Sequence, residues 1–313
     1  MSPTLDRWLA HGRFLPWRHQ RVFLAAAGRG PTLLLLHGYP TGSFNWSPLW
    51  SRLCAHWQVL APDFLGLGFS DKPLHADYSL SAHADLVQVL LQAQGVRELC
   101  VVAHDLGVSV AQELLARSLE GRADLRLRAL VLLNGGLCPS AYRPRIIQRL
   151  LASPLGAWIG PQVSRAAFER TVCELFAKPP PPGLLDDFWT LLEHQQGRRV
   201  AHRVGSFWRE RLPLENRLLH PLLGADAPPL RLINGSADPN SGRAMVDAFV
   251  ARRPDADVVR LEGVGHWPQW EATEAVWAAL EAFLAPHRAL LAPAPDRSAV
   301  LPSTSSLEPT ACP

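Results

Sequence analysis

The sequence predicts an α/β fold, in which a mostly parallel, doubly wound sheet carries a helical lid between its two halves. Three observations support this prediction. Short and nearly uninterrupted apolar runs alternate with helical patterns along most of the 313 residues. One long stretch interrupts this alternation without any strand pattern, and the strand pattern then returns. Parallel strands that are covered on both faces need such continuous apolarity.

Six apolar runs are interpreted as buried strands because each has the length of an ordinary strand. They are Thr32–Leu36, 58–61, 99–103, 127–133, 230–233 and Asp257–Leu261. The segment 19–27 is a candidate first strand of a hairpin. The intervening residues have helical patterns over 44–56, 81–94, Leu106–Leu119, 242–252 and 271–284. Strands that alternate with helices are typical of a doubly wound parallel sheet.

The interruption lies between the two halves of this pattern. It contains helical stretches at 145–152, 163–176, 184–195 and 201–211. Four consecutive prolines at 179–182 cannot continue a helix. We therefore divide the chain into a first core part, a helical lid, a second core part and a proline-rich tail that is expected to be disordered. These parts cover 1–134, 135–227, 228–285 and 286–313.

The composition excludes several classes of protein. Hydrophobic residues make up 48% and charged residues 19%, which is unlike a disordered or collagen-like chain. The net charge is +3 and the arginines are scattered, so no nucleic-acid partner is expected. Five cysteines without a CxxC pair favour neither a disulfide framework nor a zinc site. No apolar run reaches the roughly 18 residues of a membrane span, and the N-terminus lacks a secretory pattern. We expect a cytoplasmic monomer or homodimer with no metal and no membrane association.

The most informative motif is Ala103-His104-Asp105-Leu106-Gly107, which runs from a strand into a helix. Its spacing is that of a nucleophile elbow, a motif that usually has Ser in the middle. Small residues are expected on both sides because the tight turn brings Ala103 and Gly107 together. The middle residue projects above the sheet, near the positive end of the following helix.

Here the middle residue is Asp105. A carboxylate can attack without a base because it has no proton to lose. Its attack on an ester carbonyl would give an anhydride, whereas its attack on a saturated carbon gives an ester that water can cleave. Asp105 therefore predicts substitution at carbon. The alternative is that Asp105 only caps the helix that begins at Leu106, since Asp is a favoured N-cap residue.

Two backbone amides are predicted to form an oxyanion site. The stretch Leu36-His37-Gly38-Tyr39-Pro40 follows an apolar strand. In hydrolases of this build, that loop supplies one N–H group and the residue after the nucleophile supplies the other. These groups are the amides of Tyr39 and Leu106. An ordinary Gly-Tyr-Pro turn is the alternative interpretation of the loop.

Two later segments supply partners for Asp105. His266 lies in the glycine-rich stretch 263–268 and is predicted to activate the water that cleaves the ester. Asp238 follows the first strand after the lid and is predicted to hold the imidazole tautomer. The alternatives are a surface histidine and a turn aspartate before proline. The chain order of nucleophile, acid and histidine is typical of this architecture.

These four segments resemble the α/β-hydrolase fold, and His104-Asp105 resembles the branch that contains epoxide hydrolases and haloalkane dehalogenases. The stretch 110–115 after the elbow, with 134–136 and 142–144 downstream, is most similar to the mesoderm-specific transcript subgroup. The resemblance implies a covalent alkyl-aspartate intermediate, no cofactor and a helical lid. The binding partner expected for such a hydrolase is a small apolar substrate.

The chain also departs from that branch. Haloalkane dehalogenases hold the halide with a Trp after the nucleophile and an Asn in the early loop, where this chain has Leu106 and Tyr39. Epoxide hydrolases protonate the opening oxygen with two lid tyrosines, and here only Tyr142 lies in or near the lid. His194, His202 or water are the other possible sources of that proton.

Five side chains are candidates for the substrate pocket or the lid: His37, Tyr142, Trp158, Trp189 and Trp208. The three tryptophans could instead anchor lid helices in the core. The sequence thus predicts a hydrolase that opens an epoxide to a diol. A haloalkane dehalogenase and a non-catalytic ligand-binding protein with the same fold are the alternatives.

Overall fold

An eight-stranded sheet organises residues 1–291, which are the residues that the computed structural model describes. The strands are β1 Gly12–Trp17, β2 Gln20–Ala27, β3 Thr32–Leu36, β4 Gln58–Pro62, β5 Glu98–His104, β6 Arg126–Leu133, β7 Leu230–Gly235 and β8 Asp257–Leu261. Their order in the sheet is β1-β2-β4-β3-β5-β6-β7-β8. The strands β1 and β2 pair antiparallel at one edge, and β3 to β8 are parallel. The predicted α/β fold with a mostly parallel sheet is confirmed.

All six predicted buried strands are present, and the hairpin candidate is β2. The apolar pattern of the sequence does not reveal β1, the partner of β2 in the hairpin. This edge strand contains Pro16 and has mostly exposed or half-buried side chains. Proline is tolerated on an edge strand because one side of that strand has no ladder to join. The apolar signal that identifies a buried strand is therefore weak in β1.

Helices cover both faces of the sheet. They are α1 Pro3–Leu9, α2 Trp50–Cys54, α3 Leu80–Ala93, α4 Leu106–Leu119, α5 Ile146–Leu151, α6 Gly156–Ile159, α7 Arg165–Cys173, α8 Leu184–Glu193, α9 Arg198–Val204, α10 Phe207–Glu210, α11 Glu215–Leu223, α12 Arg243–Val250, α13 Pro268–Glu271 and α14 Thr273–Leu291. The predicted helix 44–56 is instead a 3₁₀ turn, Ser43–Trp46, followed by the short α2. Pro48 lies between the two pieces and interrupts the helix.

The chain between β6 and β7 is built from α5 to α11, and we call it the helical segment. No strand lies between these two strands within this described part of the chain. The sequence analysis did not predict α11, which has Pro221 in its interior. A proline normally ends a helix, so its presence hides the helical pattern. The predicted helix 201–211 is divided into α9 and α10.

The last described helix runs past the predicted start of the tail. Pro286 lies inside α14, which continues to Leu291. The predicted boundary at 286 is therefore wrong. Leu284 is buried and Leu291 packs against the core, so apolar contacts extend the helix beyond the proline. Residues 292–313, the rest of the predicted tail, lie outside the described residues.

The apolar core occupies both faces of the sheet. Side chains alternate between faces along a strand, so Leu34 and Leu36 of β3 join one cluster while Leu33 and Leu35 join the other. The parallel strands end at the same edge of the sheet, and the loops that follow β3, β5, β7 and β8 meet there. In open α/β sheets this edge is where ligands bind. No helix within residues 1–291 is both long and apolar enough to span a bilayer.

Candidate active site

Asp105 occupies the sharp turn between β5 and α4. Its backbone has φ 50° and ψ −113°, values that a non-glycine residue rarely adopts. The amide of Asp105 donates to the carbonyl of Asn134, and its carbonyl accepts from the amide of Val108, both at 3.1 Å. The carboxylate makes no capping hydrogen bond to α4. The alternative that Asp105 only caps this helix is therefore not supported by the geometry.

Two glycines allow the chain to pass close to this turn. A Cβ atom at Gly38 would lie 2.6 Å from the Cβ of Asp105, and one at Gly107 would lie 2.5 Å from the carbonyl oxygen of Leu36. The amide of Gly107 also donates to the carbonyl of His37 at 3.0 Å. The motif predicts that Ala103 crowds Gly107. The nearest atoms to a Cβ at position 107 instead all belong to Leu36 of β3.

The two carboxylate oxygens of Asp105 have different surroundings. Oδ1 accepts a hydrogen bond from the amide of Tyr39 at 2.9 Å. Oδ2 lies 3.7 Å from Nε2 of His266, which is too long for a hydrogen bond. The amide of Leu106, the second predicted oxyanion donor, has no acceptor among the described residues. One oxygen is therefore held by the early loop, and the other remains available in front of the imidazole.

His266 is buried and bound to Asp238. Its Nδ1 lies 2.8 Å from Oδ2 of Asp238. This contact assigns the proton to Nδ1 and leaves the lone pair of Nε2 on the side of Asp105. Burial alone would lower the pKa of His266, but the charge of Asp238 and this hydrogen bond outweigh burial, so the pKa is raised.

Asp238 is held by side chains that the sequence analysis did not identify as its partners. Its Oδ2 also accepts from Oγ of Ser241 at 2.6 Å and from Nδ2 of Asn134 at 3.0 Å. Its Oδ1 accepts from the amide of Asn240 at 2.8 Å. Burial would raise the pKa of Asp238, but the charge of His266 and these hydrogen bonds outweigh it and lower the pKa. Asn134 lies 104 residues from Asp238 in the chain, so no local pattern indicates their contact.

His104, the residue before Asp105, positions the loop of His266. Its Nε2 donates to the carbonyl of His266 at 2.8 Å, and the two rings are 4.8 Å apart at their centroids. Burial lowers the pKa of His104 to about 3, so the imidazole is neutral. The amide of His266 donates to the carbonyl of Leu175 in the helical segment at 2.8 Å. The loop is therefore fixed by both the sheet and the helical segment.

A cavity of about 100 Å³ lies between these residues and the helical segment. Its walls include Tyr39, Asp105, Asn240 and His266 together with side chains of the helical segment, among them Ile147, Gln148, Leu151, Val163, Phe168, Val172, Leu192 and Phe207. A cavity of roughly 150 Å³ binds benzene in another protein, so the volume of this cavity suits a small apolar ligand. The Oδ1 atom of Asn240 has no hydrogen-bond partner among the described residues.

His37, a predicted pocket residue, has a structural role. The side chain is fully buried and does not line the cavity. Its Nδ1 is 2.8 Å from the carbonyl of Gly38, and its Nε2 accepts from the amide of Phe64 at 2.9 Å. Burial lowers the pKa of His37. The neutral ring therefore holds the loop that carries Tyr39.

The aromatic candidates of the lid also lie outside the cavity wall. Trp158 is exposed on α6, and Trp189 packs against Phe168. Trp208 stacks on Tyr142 with ring centroids 6.3 Å apart. The hydroxyl of Tyr142 accepts from Nε2 of the cavity residue Gln148 at 2.8 Å, although Tyr142 itself does not line the cavity. Burial and the charge of Asp105 raise the pKa of Tyr142.

Tyr39 lines the cavity, although the sequence indicates only a backbone role for it. Its hydroxyl lies beside Gly205, where a Cβ atom would approach it to 3.1 Å. Burial and the nearby charge of Asp105 raise the pKa of Tyr39, so the phenol keeps its proton. His194 and His202, the other proton sources considered from the sequence, do not line this cavity.

A fully buried arginine lies next to the site. The Arg211 guanidinium is 4.9 Å from the ring centroid of Tyr142 and 5.2 Å from that of Phe207. Its Nη1 donates to Oγ of Ser109 at 3.2 Å, while Nε and Nη2 have no partner among the described residues. Burial lowers the pKa of Arg211. A Cβ atom at Gly136 would overlap this guanidinium, so the glycine provides the space for it.

Comparison with known proteins identifies related chains and folds. Residues 33–279 match the alpha/beta hydrolase family. The putative hydrolase LipZ of Mycobacterium tuberculosis is 37% identical over 278 residues, which cover 88% of this chain and 96% of LipZ. The mesoderm-specific transcript homolog protein of Bos taurus is 31% identical over 287 residues, which cover 87% of this chain and 85% of that protein.

Two solved structures share the fold at lower identity. The haloalkane dehalogenase DbeA from Bradyrhizobium elkani superposes with a TM-score of 0.75 at 22% identity, covering 89% of this chain and 99% of that chain. The epoxide hydrolase CorEH superposes with a TM-score of 0.73 at 21% identity, covering 88% of this chain and 99% of that chain. At this identity the likeness concerns the fold.

Proposed function

The chain belongs to the α/β hydrolase family, and we propose that it is a hydrolase in which Asp105 forms a covalent ester with a small apolar epoxide and releases a diol. The observation that carries this proposal is the asymmetry of the Asp105 carboxylate. Oδ1 is bound by the Tyr39 amide, whereas Oδ2 faces the cavity side of His266 without a hydrogen bond. The helical segment serves as the lid over this site.

In the first step, Oδ2 of Asp105 attacks one carbon of the epoxide ring. The new bond is the C–O bond of the ester, and the ring C–O bond breaks with its electron pair moving to the ring oxygen. That oxygen needs a proton because an alkoxide is a poor leaving group. Tyr39 lines the cavity, and its phenol, which is close enough to Asp105 to feel the carboxylate charge, supplies this proton.

In the second step, water cleaves the ester of Asp105. Nε2 of His266 removes a proton from the water, whose oxygen attacks Cγ of Asp105. The amides of Tyr39 and Leu106 stabilise the oxyanion, and each such donor contributes roughly 3 kcal/mol to transition-state stabilisation. The imidazolium, held by Asp238, then returns the proton to the departing diol oxygen. One oxygen atom of the water remains in Asp105, and the second proton of that water passes from the Asp105 carboxyl group to the Tyr39 phenolate, which restores both side chains.

The cavity favours an epoxide over a haloalkane as substrate. Haloalkane dehalogenases bind the halide with side-chain N–H groups, but the positions that would supply them carry Leu106 and Tyr39. No tryptophan lines the cavity within the described part of the chain. The wall contains a phenol instead, and a phenol can donate a proton to an opening epoxide.

The substitution His266→Gln tests this mechanism because it removes the base of the second step and leaves the first step intact. We expect mass spectrometry to find the ester on the peptide that contains Asp105 after incubation with a panel of small epoxides. The double variant Asp105→Asn/His266→Gln should carry no adduct. Turnover by His266→Gln without any adduct would exclude the covalent mechanism. Halide release from haloalkanes without diol formation from any epoxide would instead identify a dehalogenase.

A further inference from the structure

Residues 143–158 carry an exposed apolar surface that the proposed reaction does not use. Ile146, Leu150, Leu155 and Trp158 are 79%, 43%, 60% and 72% exposed. These four lie within 13 consecutive residues, although only 11 large hydrophobic side chains are exposed among residues 1–291. Exposed apolar side chains on a monomeric protein are normally scattered, and a cluster indicates an interaction site. We call this surface the 143–158 face.

The 143–158 face is also basic. The stretch 135–168 contains four arginines and no Asp or Glu. Arg145 and Arg165 are paired with carboxylates, but Arg143 and Arg149 form no ion pair with any residue of the described chain. Arg209, whose guanidinium donates to the carbonyl of Ala152 at 2.5 Å, adds a third exposed cation beside this surface.

The same helix forms a thin wall of the cavity. None of the six residues of α5 is fully buried. Ile147, Gln148 and Leu151 line the cavity, while Ile146 and Leu150 are exposed to the outside. Residues three or four positions apart share a side of a helix, so Ile147 and Leu151 form one side and Ile146 and Leu150 form another. The outer side of this wall is therefore the 143–158 face.

We propose that the 143–158 face docks on an anionic lipid surface, which differs from the expectation from the sequence that the chain has no membrane association. Trp158 and Leu155 would lie among the lipid headgroups and upper acyl chains, where tryptophan is enriched in membrane-associated proteins. Arg143 and Arg149 would bind lipid phosphates, which match the fork of a guanidinium. Docking would set the outer wall of the cavity against the layer in which apolar molecules dissolve.

The charges favour a lipid surface over a second copy of the chain. A two-fold dimer places the same patch of both copies in contact. Such a dimer through the 143–158 face would bring Arg143 and Arg149 of both copies together, and the stretch 135–168 offers no carboxylate to compensate them. An anionic bilayer compensates these charges and buries the apolar side chains at the same time.

Sedimentation of the full chain with lipid vesicles tests this proposal. We expect binding to vesicles that contain about 30% phosphatidylglycerol in phosphatidylcholine and weak binding to phosphatidylcholine alone. High salt should weaken binding to the anionic vesicles to a residual apolar level, because exposed charges are screened. The variant Arg143→Gln/Arg149→Gln should weaken partitioning by about five-fold for each arginine, the equivalent of about 1 kcal/mol near an anionic surface. The variant Leu155→Ser/Trp158→Ser should also weaken binding and should reduce the residual binding at high salt.

Matched variants elsewhere on the surface show whether a loss of vesicle binding is specific to the 143–158 face or follows from removing any exposed apolar or charged side chains. Val89→Ser/Leu119→Ser removes two exposed apolar side chains from α3 and α4, and Arg7→Gln/Arg29→Gln removes two exposed charges outside the face. Both should bind vesicles like the unaltered chain. Equal binding by the face variants and these controls would overturn the proposal, as would no binding to either vesicle. Self-association that only the face variants abolish, without vesicle binding, would reassign the face to a dimer.

Discussion

At the scale of single residues, Tyr39 contributes two different groups to the site. Its backbone amide holds Oδ1 of Asp105 at 2.9 Å, and its buried phenol is close enough to Asp105 to feel the carboxylate charge. A backbone group is insensitive to substitution, whereas the phenol can be removed alone. The two contributions of Tyr39 can therefore be separated by experiment.

We predict that Tyr39→Phe slows formation of the Asp105 ester from an epoxide by roughly 100- to 10,000-fold, the range of a lost general acid. Hydrolysis of the ester should change little because the amide remains in place. Single-turnover measurements of the two steps check this prediction. Tyr142→Phe is the matched control, since the hydroxyl of Tyr142 is bound by Gln148 and Tyr142 does not line the cavity. A large loss in Tyr142→Phe with none in Tyr39→Phe would assign the acid to Tyr142.

The pKa of His266 predicts the pH dependence of ester hydrolysis. His266 acts as a base only when neutral, and its pKa is raised above the ordinary 6.5. The rate of hydrolysis should therefore rise with pH through a midpoint above 6.5. In Asp238→Asn burial acts without the opposing charge, so the midpoint should move down while the maximal rate falls. Single-turnover hydrolysis of the ester by the unaltered chain and by Asp238→Asn, measured between about pH 5 and 9, checks both effects, and identical midpoints would contradict this account.

The raised pKa of His266 also affects the free energy of unfolding. This contribution falls as the pH rises, whereas the rate of ester hydrolysis increases. A raised pKa in the folded state means that the folded chain binds this proton more tightly than the unfolded chain. The contribution of His266 to the free energy of unfolding is then complete below pH 6.5 and is lost as the pH rises through the folded-state value. The protonated form of His266 therefore stabilises the fold, whereas only the neutral form can act as the base in ester hydrolysis.

At the scale of elements, the contact of α4 with β3 sets the position of Asp105. The first turn of α4 lies against the end of β3, where the amide of Gly107 binds the carbonyl of His37. A longer side chain at position 107 would separate these two elements. The position of the carboxylate above the sheet therefore depends on a glycine two residues away.

We predict that Gly107→Ala destabilises the protein by about 1–3 kcal/mol, the usual cost of overpacking, and lowers the rate of ester formation. Its Cβ atom would lie 2.5 Å from the Leu36 carbonyl oxygen, a backbone atom that cannot rotate away. Gly224→Ala is the control, because its nearest neighbour would be 3.5 Å distant and its backbone is extended. Denaturant unfolding of both variants measures their free energies of unfolding. Equal values for Gly107→Ala and Gly224→Ala would contradict the prediction.

At the scale of the whole molecule, the helical segment closes the site and is bound to the sheet by polar contacts. Arg211 of this segment binds Ser109 of α4. The carbonyl of Leu175 accepts from the amide of His266. Through these contacts one part of the chain both shapes the cavity and holds the loop that carries His266. The outer face of the same segment is free to meet a lipid surface.

The apolar runs and the order of the motifs were sufficient to predict the parallel sheet, the elbow at Asp105 and the partners Asp238 and His266. Such features are local, because the apolarity of a strand or the small residues of a turn can be recognised within a few positions. The structure brings all three residues together as the motif order predicts. Their roles in catalysis remain the proposal that His266→Gln tests.

Contacts between distant segments depended on the tertiary structure. The sequence offered His37, Tyr142 and three tryptophans as candidates for the pocket or the lid, and packing leaves none of them on the cavity wall, which contains Tyr39 instead. It could not identify Asn134 as a partner of Asp238, because their side chains meet only after β6 and β7 pair. Local pattern determines which elements form and in what order. The side chains that face the cavity are decided by how those elements pack, which no short stretch of sequence contains.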